Sequence, residues 1–219
     1  MSDFIAAACV GISQVSIGHP FETTLTLIQN NKPWQKMPIK DYYRGWKFPL
    51  CSAVIFNMTV FPIVERTVKH TDSYLLSGML SGACVAPFVF GMELGKVKQQ
   101  TKQKINLNTL LTNKGRIATL GREMTAMSAY FSTYNYAKDQ GLPPLVSGGL
   151  AGLSNWTITY PIEVIKNRQM AQNISLKEAI KMGDIWKGYS ICAFRAVIVN
   201  AMNFWTYETV KGWLDRSYQ

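Results

Sequence analysis

The sequence predicts an all-α membrane protein in which six transmembrane helices form three tandem two-helix repeats, with threefold pseudosymmetry around a central cavity. Three observations support this fold: six stretches without charge, a one-sided distribution of basic residues, and a motif that recurs in register. The 219 residues are predicted to form a single transmembrane domain, with repeats at approximately 1–70, 71–141 and 142–219.

Charged side chains are missing from six stretches of the chain: 4–21, 48–64, 73–92, 124–137, 141–162 and 196–207. The longer stretches approach the roughly 20 residues that a helix needs to cross a bilayer. A soluble bundle with buried core helices is the alternative, but six stretches at regular spacing favour a polytopic membrane protein. A mean hydropathy close to zero is expected if helices face lipid on one side and a wet cavity on the other. The first stretch lacks the basic start of a cleavable signal peptide and is interpreted as part of the first span.

Basic residues are concentrated in three segments, because 15 of the 23 Lys and Arg lie within 30–45, 96–116 and 166–187. This asymmetry is typical of a membrane protein whose three longer connections share one face. The location of these residues therefore argues against a nucleic-acid surface, although the net charge is +10.

Cysteine and histidine spacing gives no sign of a metal site. The four cysteines stand singly in or beside apolar stretches, which favours core packing: Cys9, Cys51, Cys84 and Cys192. His19 and His70 show no partner pattern and are interpreted as structural. No phosphate-binding loop or nucleophile-base spacing occurs either, so we expect neither a cofactor nor enzymatic catalysis.

The recurring motif follows each odd-numbered helix to its inner end. A glycine is followed nine residues later by a helix break, at Pro20, Gly91 and Pro161. Two residues after each break stands an acid, at Glu22, Glu93 and Glu163. Five residues after each break stand Leu25, Lys96 and Lys166. The even-numbered segments open on Arg44-Gly45, Lys114-Gly115 and Lys187-Gly188, and close on "FPIVERTV", "FSTYNYAK" and "FWTYETVK". Each unit is therefore a helix pair joined by a basic loop, and six spans put both termini on one side.

Glycines four residues apart occur in two odd-numbered helices: Gly78, Gly82, Gly148 and Gly152. This spacing allows two helix backbones to approach each other closely. We therefore expect these four glycines to lie at helix contacts.

The segments "PFETTLTLIQ", "GMELGKVKQQ" and "PIEVIKNRQM" resemble the threefold P-x-[DE]-x-x-[KR] signature of mitochondrial carriers, and "YRGW" and "WKGY" resemble that family's second motif. The resemblance covers essentially the whole chain and identifies it as a shortened, divergent member. It implies a monomeric, multi-pass protein of the mitochondrial inner membrane, in contact with lipid that includes cardiolipin. Another organelle, or a host mitochondrion reached by the product of a viral gene, is the alternative location.

The resemblance assigns the charges after each break to a matrix gate: Glu22, Glu93, Lys96, Glu163 and Lys166. Helix kinks at Pro20, Gly91 and Pro161 would tilt the inner ends together, so that the acid of one helix pairs with the base of the next. Glu22 is then expected to pair with Lys96, and Glu93 with Lys166, whereas Glu163 faces Leu25 and lacks a partner.

The resemblance also implies a cytoplasmic gate at the other end: Glu65, Lys138, Glu208 and Lys211. Asn135 and Val68 stand where further charges are expected, so both gates are predicted to be incomplete and their closed states shallow. A solvated belt of charges at the helix ends is the alternative interpretation.

Charged residues inside a span are costly and indicate a functional site: Arg122, Glu123 and Arg195. Arg122 and Arg195 occupy equivalent positions in two repeats, where the first repeat has Ser52. This level resembles the substrate contact zone of carriers, to which Asn57 and Asn200 would add amide groups. An arginine can bind a carboxylate with two parallel hydrogen bonds, and Glu123 can bind an ammonium group. Mutual neutralisation of Arg122 and Glu123, and helix bracing by Arg195, are the structural alternatives.

These residues predict alternating-access exchange or uniport of a small charged metabolite, and favour an amino acid or a carnitine-like zwitterion. Nucleotide or deoxynucleotide exchange is the alternative, because two arginines also suit phosphate. A carrier-like scaffold or leak without a transport cycle is the third hypothesis, because both gates are incomplete.

Overall fold

The computed structural model describes residues 2–35, 37–49, 60, 63–64, 66–104 and 106–217. The regular structure of these residues is helical, which confirms the all-α prediction. The helices are α1 (Ser2–Gln29), α2 (Ile39–Tyr42), α3 (Tyr74–Gln100), α4 (Leu107–Thr112), α5 (Gly115–Asp139), α6 (Pro144–Gln172), α7 (Leu176–Lys181) and α8 (Tyr189–Ser217). Residues 66–71 are also helical.

Five of these helices are long: α1, α3, α5, α6 and α8 contain between 25 and 29 residues each. At about 1.5 Å per residue, each exceeds the roughly 30 Å thickness of a bilayer core. Among the described helices, α3 combines this length with the apolar composition of a membrane span. The other long helices are less apolar over their length, and four of the charges that they carry line the cavity described below.

The helices do not end at the predicted breaks. Pro20 lies inside α1 and Pro161 inside α6, and α3 continues through both Pro87 and Gly91. A proline removes one backbone N–H from the helix and leaves a carbonyl to be satisfied in another way. For Pro20 that carbonyl belongs to Ser16, four residues earlier, and the hydroxyl group of Tyr43 donates to it at 3.0 Å. Kinks at Pro20, Gly91 and Pro161 remain predictions.

Helix α3 packs against α5, α5 against α6, and α1 against α8. The α3–α5 contact is close because Gly82 and Gly78 face the backbone of α5. A Cβ atom on Gly82 would lie 2.4 Å from the carbonyl oxygen of Glu123, and one on Gly78 would lie 2.7 Å from that of Met127. The predicted role of these two glycines in helix packing is confirmed.

The same prediction is wrong for Gly148 and Gly152. Apart from the adjacent residues and the nearby backbone of α6 itself, no atom of the described residues lies within 4 Å of a Cβ built at either position. Both glycines line a groove of about 480 Å³ between α6 and α8, together with Ala193 and Ala196. The spacing of small residues permits close packing but does not place a second helix opposite them.

Short connections occupy the end of the molecule that carries the basic segments. Helices α2, α4 and α7 have only four to six residues. Asn106 caps α4, and Ser175 and Glu178 form a reciprocal capping box on α7. Gly45 and Gly188, at equivalent places in the motif, adopt φ angles of +84° and +89°, which suit glycine. These turns lead the chain back into the even-numbered segments.

Candidate functional site

A cavity of about 150 Å³ lies between the inner halves of the long helices. Three acids and three bases line it together with the indole of Trp156: Glu22, Glu93, Glu163, Lys96, Arg122 and Arg195. The family resemblance assigns the acids and Lys96 to a gate and the two arginines to a substrate zone. The structure brings both groups to the same cavity.

Ion pairs join α1, α3 and α6 at this level. Lys96 Nζ lies 2.8 Å from Glu22 Oε2, and Lys166 Nζ lies 2.5 Å from Glu93 Oε2. Both pairs that the family resemblance implies are therefore present. Lys166 also lies 2.8 Å from Glu163 Oε2 one helical turn earlier, so a single ammonium group connects two acids.

The two arginines extend this network to α5 and α8. Arg122 Nε lies 3.1 Å from Glu163 Oε2, and Arg195 Nη2 donates to Glu22 Oε1. Asn167 Nδ2 donates to Glu163 Oε1 at 3.1 Å. We refer to the charged residues of this network as the inner ring: Glu22, Glu93, Glu163, Lys96, Lys166, Arg122 and Arg195.

The expectation that Glu163 lacks a partner is wrong. Arg122, Lys166 and Asn167 all contact its carboxylate, so the charge lost at position 25 is replaced from another helix. Leu25 itself packs against an apolar cluster of Tyr160, Val164 and Cys192. The register of the repeats predicted that the base at position 25 is missing. It did not predict that Arg122 replaces it, because Arg122 lies on α5, outside the motif of the first helix of each repeat.

Arg122 is held by three groups at once. Its Nη1 donates to Glu123 Oε1 at 2.7 Å, and its guanidinium carbon lies 5.6 Å from the centre of the Trp156 ring. Such a contact between a cation and an aromatic face is favourable and fixes the plane of the guanidinium group. The side chain of Glu123 is fully buried and does not line the cavity. An ammonium group could reach Glu123 only after Arg122 moves.

Charges at the site are balanced. Four acids, including Glu123, face four bases when Lys166 is counted. Removing one partner of a buried pair leaves an uncompensated charge, which is costly. The arrangement can therefore accept a ligand that exchanges one ionic contact for another more readily than a ligand that adds net charge.

Several predicted residues lie outside the described part of the chain. Ser52, Asn57 and Glu65 belong to this group, as do the side chains of Asn200, Glu208 and Lys211. Lys138 is described and lies exposed near the end of α5. The cytoplasmic gate and the contributions of Ser52, Asn57 and Asn200 stay predictions.

A polar brace that the sequence did not predict lies below the inner ring. Arg168 is fully buried and donates to the carbonyl oxygens of Gln29, Ala179, Gly183 and Asp184 at 2.7–3.2 Å. Lys98 occupies the equivalent position in the second repeat, seven residues after Gly91, as Arg168 lies seven residues after Pro161. Lys98 donates to the carbonyl oxygen of Ala171 at 3.0 Å. The shared spacing was visible in the sequence, but nothing there indicated that these bases bind backbone carbonyls.

His19 has the structural role that was expected of it. Its ring is buried, and Nε2 lies 2.8 Å from the carbonyl oxygen of Arg44. Among the described residues no cluster of histidine, cysteine and carboxylate side chains could hold a metal ion. The described cysteines Cys9, Cys84 and Cys192 are free thiols.

Comparison with known proteins finds similarity to mitochondrial carriers. The family profile described as "Mitochondrial carrier protein" matches residues 139–218. The mitochondrial basic amino acids transporter of Rattus norvegicus is 27% identical over 78% of this chain and 72% of the relative. A mitochondrial arginine transporter of Arabidopsis thaliana is 26% identical over 94% and 89%. Solute carrier family 25 member 45 of Mus musculus is 22% identical over 95% and 97%.

The relatives align with most of the chain, whereas the profile matches its last third. The inner ring contains two of the three acid–base pairs that a threefold carrier signature predicts. The chain is thus similar to proteins named as mitochondrial transporters over most of its length, and to the mitochondrial carrier profile over its last third.

Proposed function

We propose that this protein is a mitochondrial carrier, a multi-pass protein of the inner membrane that transports a metabolite by alternating access. Its proposed substrate is an amino acid, with basic amino acids preferred. The single observation that carries this proposal is the charge-balanced cavity, in which two arginines and three carboxylates line one small space. In the proposed architecture six spans form one domain of three pseudosymmetric repeats around this cavity. The inner ring is its gate on the matrix side.

The size of the cavity supports a small substrate. Its volume of about 150 Å³ is below the roughly 300–1,000 Å³ of pockets that hold drug-sized ligands. A nucleotide is larger than this cavity. Its several negative charges would also give a net negative charge to a site whose acids and bases are equal in number. A zwitterion adds no net charge and a basic amino acid adds only one positive charge, so either disturbs the charge balance less than a nucleotide does. The preference for basic amino acids over other zwitterions rests on the relatives.

The relatives support the preference for basic amino acids. Two of them carry names that refer to basic amino acids or to arginine, and each aligns with most of this chain. An α-carboxylate suits the planar guanidinium groups of Arg122 and Arg195. A cationic side chain suits a carboxylate in the same cavity.

The ion pairs suggest how binding could open the gate. Arg122 and Arg195 hold Glu163 and Glu22 in this conformation. A substrate carboxylate that binds either arginine competes with these glutamates and weakens the contact between two helices. Because the arginine exchanges one anion for another, its charge is never left unpaired, which keeps the barrier low.

Counterflow in proteoliposomes tests the proposed function. Vesicles loaded with arginine, lysine, carnitine or ATP are assayed for saturable uptake of the labelled compound, and we expect exchange of arginine and lysine. Arg195→Gln should abolish most of this exchange, whereas Lys177→Gln, which removes an exposed charge on α7, should leave it unchanged. Saturable exchange of nucleotides alone would overturn the proposal, and an unsaturable current would indicate a leak.

A further inference from the structure

The arginines of the inner ring follow a cyclic rule. Arg122, in the second repeat, contacts Glu163 of the third, and Arg195, in the third repeat, contacts Glu22 of the first. Each arginine therefore binds the acid of the repeat that follows it. By the same rule, Glu93 of the second repeat would be bound from the equivalent position of the first repeat. That position holds Ser52, which carries no charge and lies outside the described residues.

Glu93 differs from the other two acids in the way this rule predicts. Within the described part of the chain, its ion-pair partner is Lys166, which it shares with Glu163. Its side chain is 26% exposed, compared with 20% for Glu22 and 12% for Glu163. Glu93 is thus the most exposed of the three carboxylates that line the cavity.

We propose that Glu93 is the site that binds the cationic group of the substrate, the guanidinium or ammonium group of a basic amino acid side chain. This inference rests on the proposed function and names the residue that would determine specificity. A guanidinium group can bind the carboxylate of Glu93 with two parallel hydrogen bonds. Lys166 keeps Glu163 as a partner at 2.8 Å when Glu93 turns to the substrate, so neither base nor acid is left unpaired.

The other acids suit this role less well. Glu22 and Glu163 each hold an arginine, so a substrate cation at either acid would have to displace an arginine contact between two helices. Glu123 is fully buried behind Arg122 and does not reach the cavity. Exchange at Glu93 disturbs the fewest contacts of the inner ring.

Arginine and citrulline provide a direct test, because they have nearly the same shape and citrulline carries a neutral ureido group in place of the guanidinium. The measurement is the ratio of kcat/KM for the two compounds in proteoliposome exchange. In Glu93→Gln we expect the preference for arginine to fall about tenfold or more, because a charged pair inside the site is lost. A general effect of this change on the gate slows both compounds and cancels in the ratio.

Glu163→Gln is the matched control, since it removes a second carboxylate of the inner ring. It should slow transport of both compounds and leave their ratio unchanged. If Glu93→Gln reduces both rates without changing the ratio, the cation site is overturned while the proposed function stands. If the wild-type protein exchanges neither arginine nor lysine, the proposed function fails and the cation site fails with it.

A second variant keeps the test decisive if Glu93→Gln does not fold. Glu93→Asp retains the charge and shortens the side chain by one methylene group. A substrate longer by one methylene group should then fit better, so we expect the ratio of lysine to ornithine exchange to rise. An unchanged ratio in a folded Glu93→Asp protein would contradict direct contact between Glu93 and the substrate.

Discussion

Arg122 Nε lies 3.1 Å from Glu163 Oε2, although the repeat register assigns the partner of Glu163 to position 25. The base that contacts Glu163 lies on α5, the second long helix of its repeat, and not on α1, the first helix of its repeat. The apolar Leu25 of α1 packs beside Tyr160. The inner ring therefore has a base for each acid despite the missing lysine. In the proposed mechanism this substitution couples the gate to the substrate, because the same arginine serves both.

Leu25→Lys should slow transport. The long apolar stem of lysine can follow the path of Leu25 along Tyr160 while its ammonium group reaches Glu163. An additional partly exposed ion pair is worth about 1 kcal/mol or less, which corresponds to about fivefold or less in the rate of opening. The measurement is the initial rate of exchange in proteoliposomes, with Leu25→Met as the control of similar shape. Turnover that is unchanged or faster would contradict the role of the inner ring as a gate.

The repeat register predicted much of the inner ring. The pairs between α1, α3 and α6, the first long helices of the three repeats, follow from a fixed spacing along the chain. Glu22 with Lys96 and Glu93 with Lys166 could therefore be named from the motif alone. The contacts of Arg122 and Arg195 depend on how far α5 and α8 are rotated about their axes. Spacing within one sequence does not fix that rotation, so these contacts were not predicted.

Burial was harder to predict than position. Glu123 was expected to bind substrate because it lies inside a predicted span, yet its side chain is fully buried and paired with Arg122. Gly148 and Gly152 have the spacing of a packing motif, yet they face a groove. In both cases the outcome depends on which helix lies opposite, and the composition of one helix does not specify its neighbour.

Gly82→Ala should destabilise the protein. The new methyl group would lie 2.4 Å from the carbonyl oxygen of Glu123. Because this oxygen belongs to the backbone of α5 and the methyl group is fixed to the backbone of α3, the clash can be relieved only by moving the two helices apart. Overpacking of this kind costs about 1–3 kcal/mol. Thermal unfolding in detergent should show a lower Tm for Gly82→Ala. Gly152→Ala is the control, because its methyl group meets no described atom within 4 Å, and an equal loss in both variants would rule out this explanation.

Asp41 should contribute to stability at neutral pH and lose this contribution in acid. Lys102 Nζ lies 2.5 Å from Asp41 Oδ2 and Arg44 Nε lies 2.8 Å from Oδ1, and these hydrogen bonds hold the pKa of the carboxyl group below its usual value. A carboxyl group with a lowered pKa in the folded state stabilises that state above about pH 4 and ceases to do so as the pH falls through the folded pKa.

The measurement is the Tm of wild type and of Asp41→Asn between pH 3 and pH 7. We expect the variant to be less stable at pH 7 and the difference to shrink towards pH 3. Lys102→Gln should lower the Tm at pH 7 as well, and the double variant should lose less than the sum because the two residues share one contact. A difference that persists at low pH would show that Asp41 acts through its shape and not through its charge.

Arg168→Lys should destabilise the protein although it conserves the charge. Arg168 donates to four backbone carbonyl oxygens that belong to α1, α7 and the turn after α7, and its side chain is fully buried. The planar guanidinium group spreads its five donors over these acceptors, whereas an ammonium group is a compact donor that cannot reach all of them. Each carbonyl left without a donor costs about 1–3 kcal/mol. Thermal unfolding in detergent should therefore give a clearly lower Tm.

Arg116→Lys provides the comparison for Arg168→Lys, because Arg116 also contacts carbonyl oxygens but is exposed to solvent, which can replace the lost bonds. Equal stability of the two variants would contradict a structural role for Arg168, and loss of transport at an unchanged Tm would place it in the transport cycle instead.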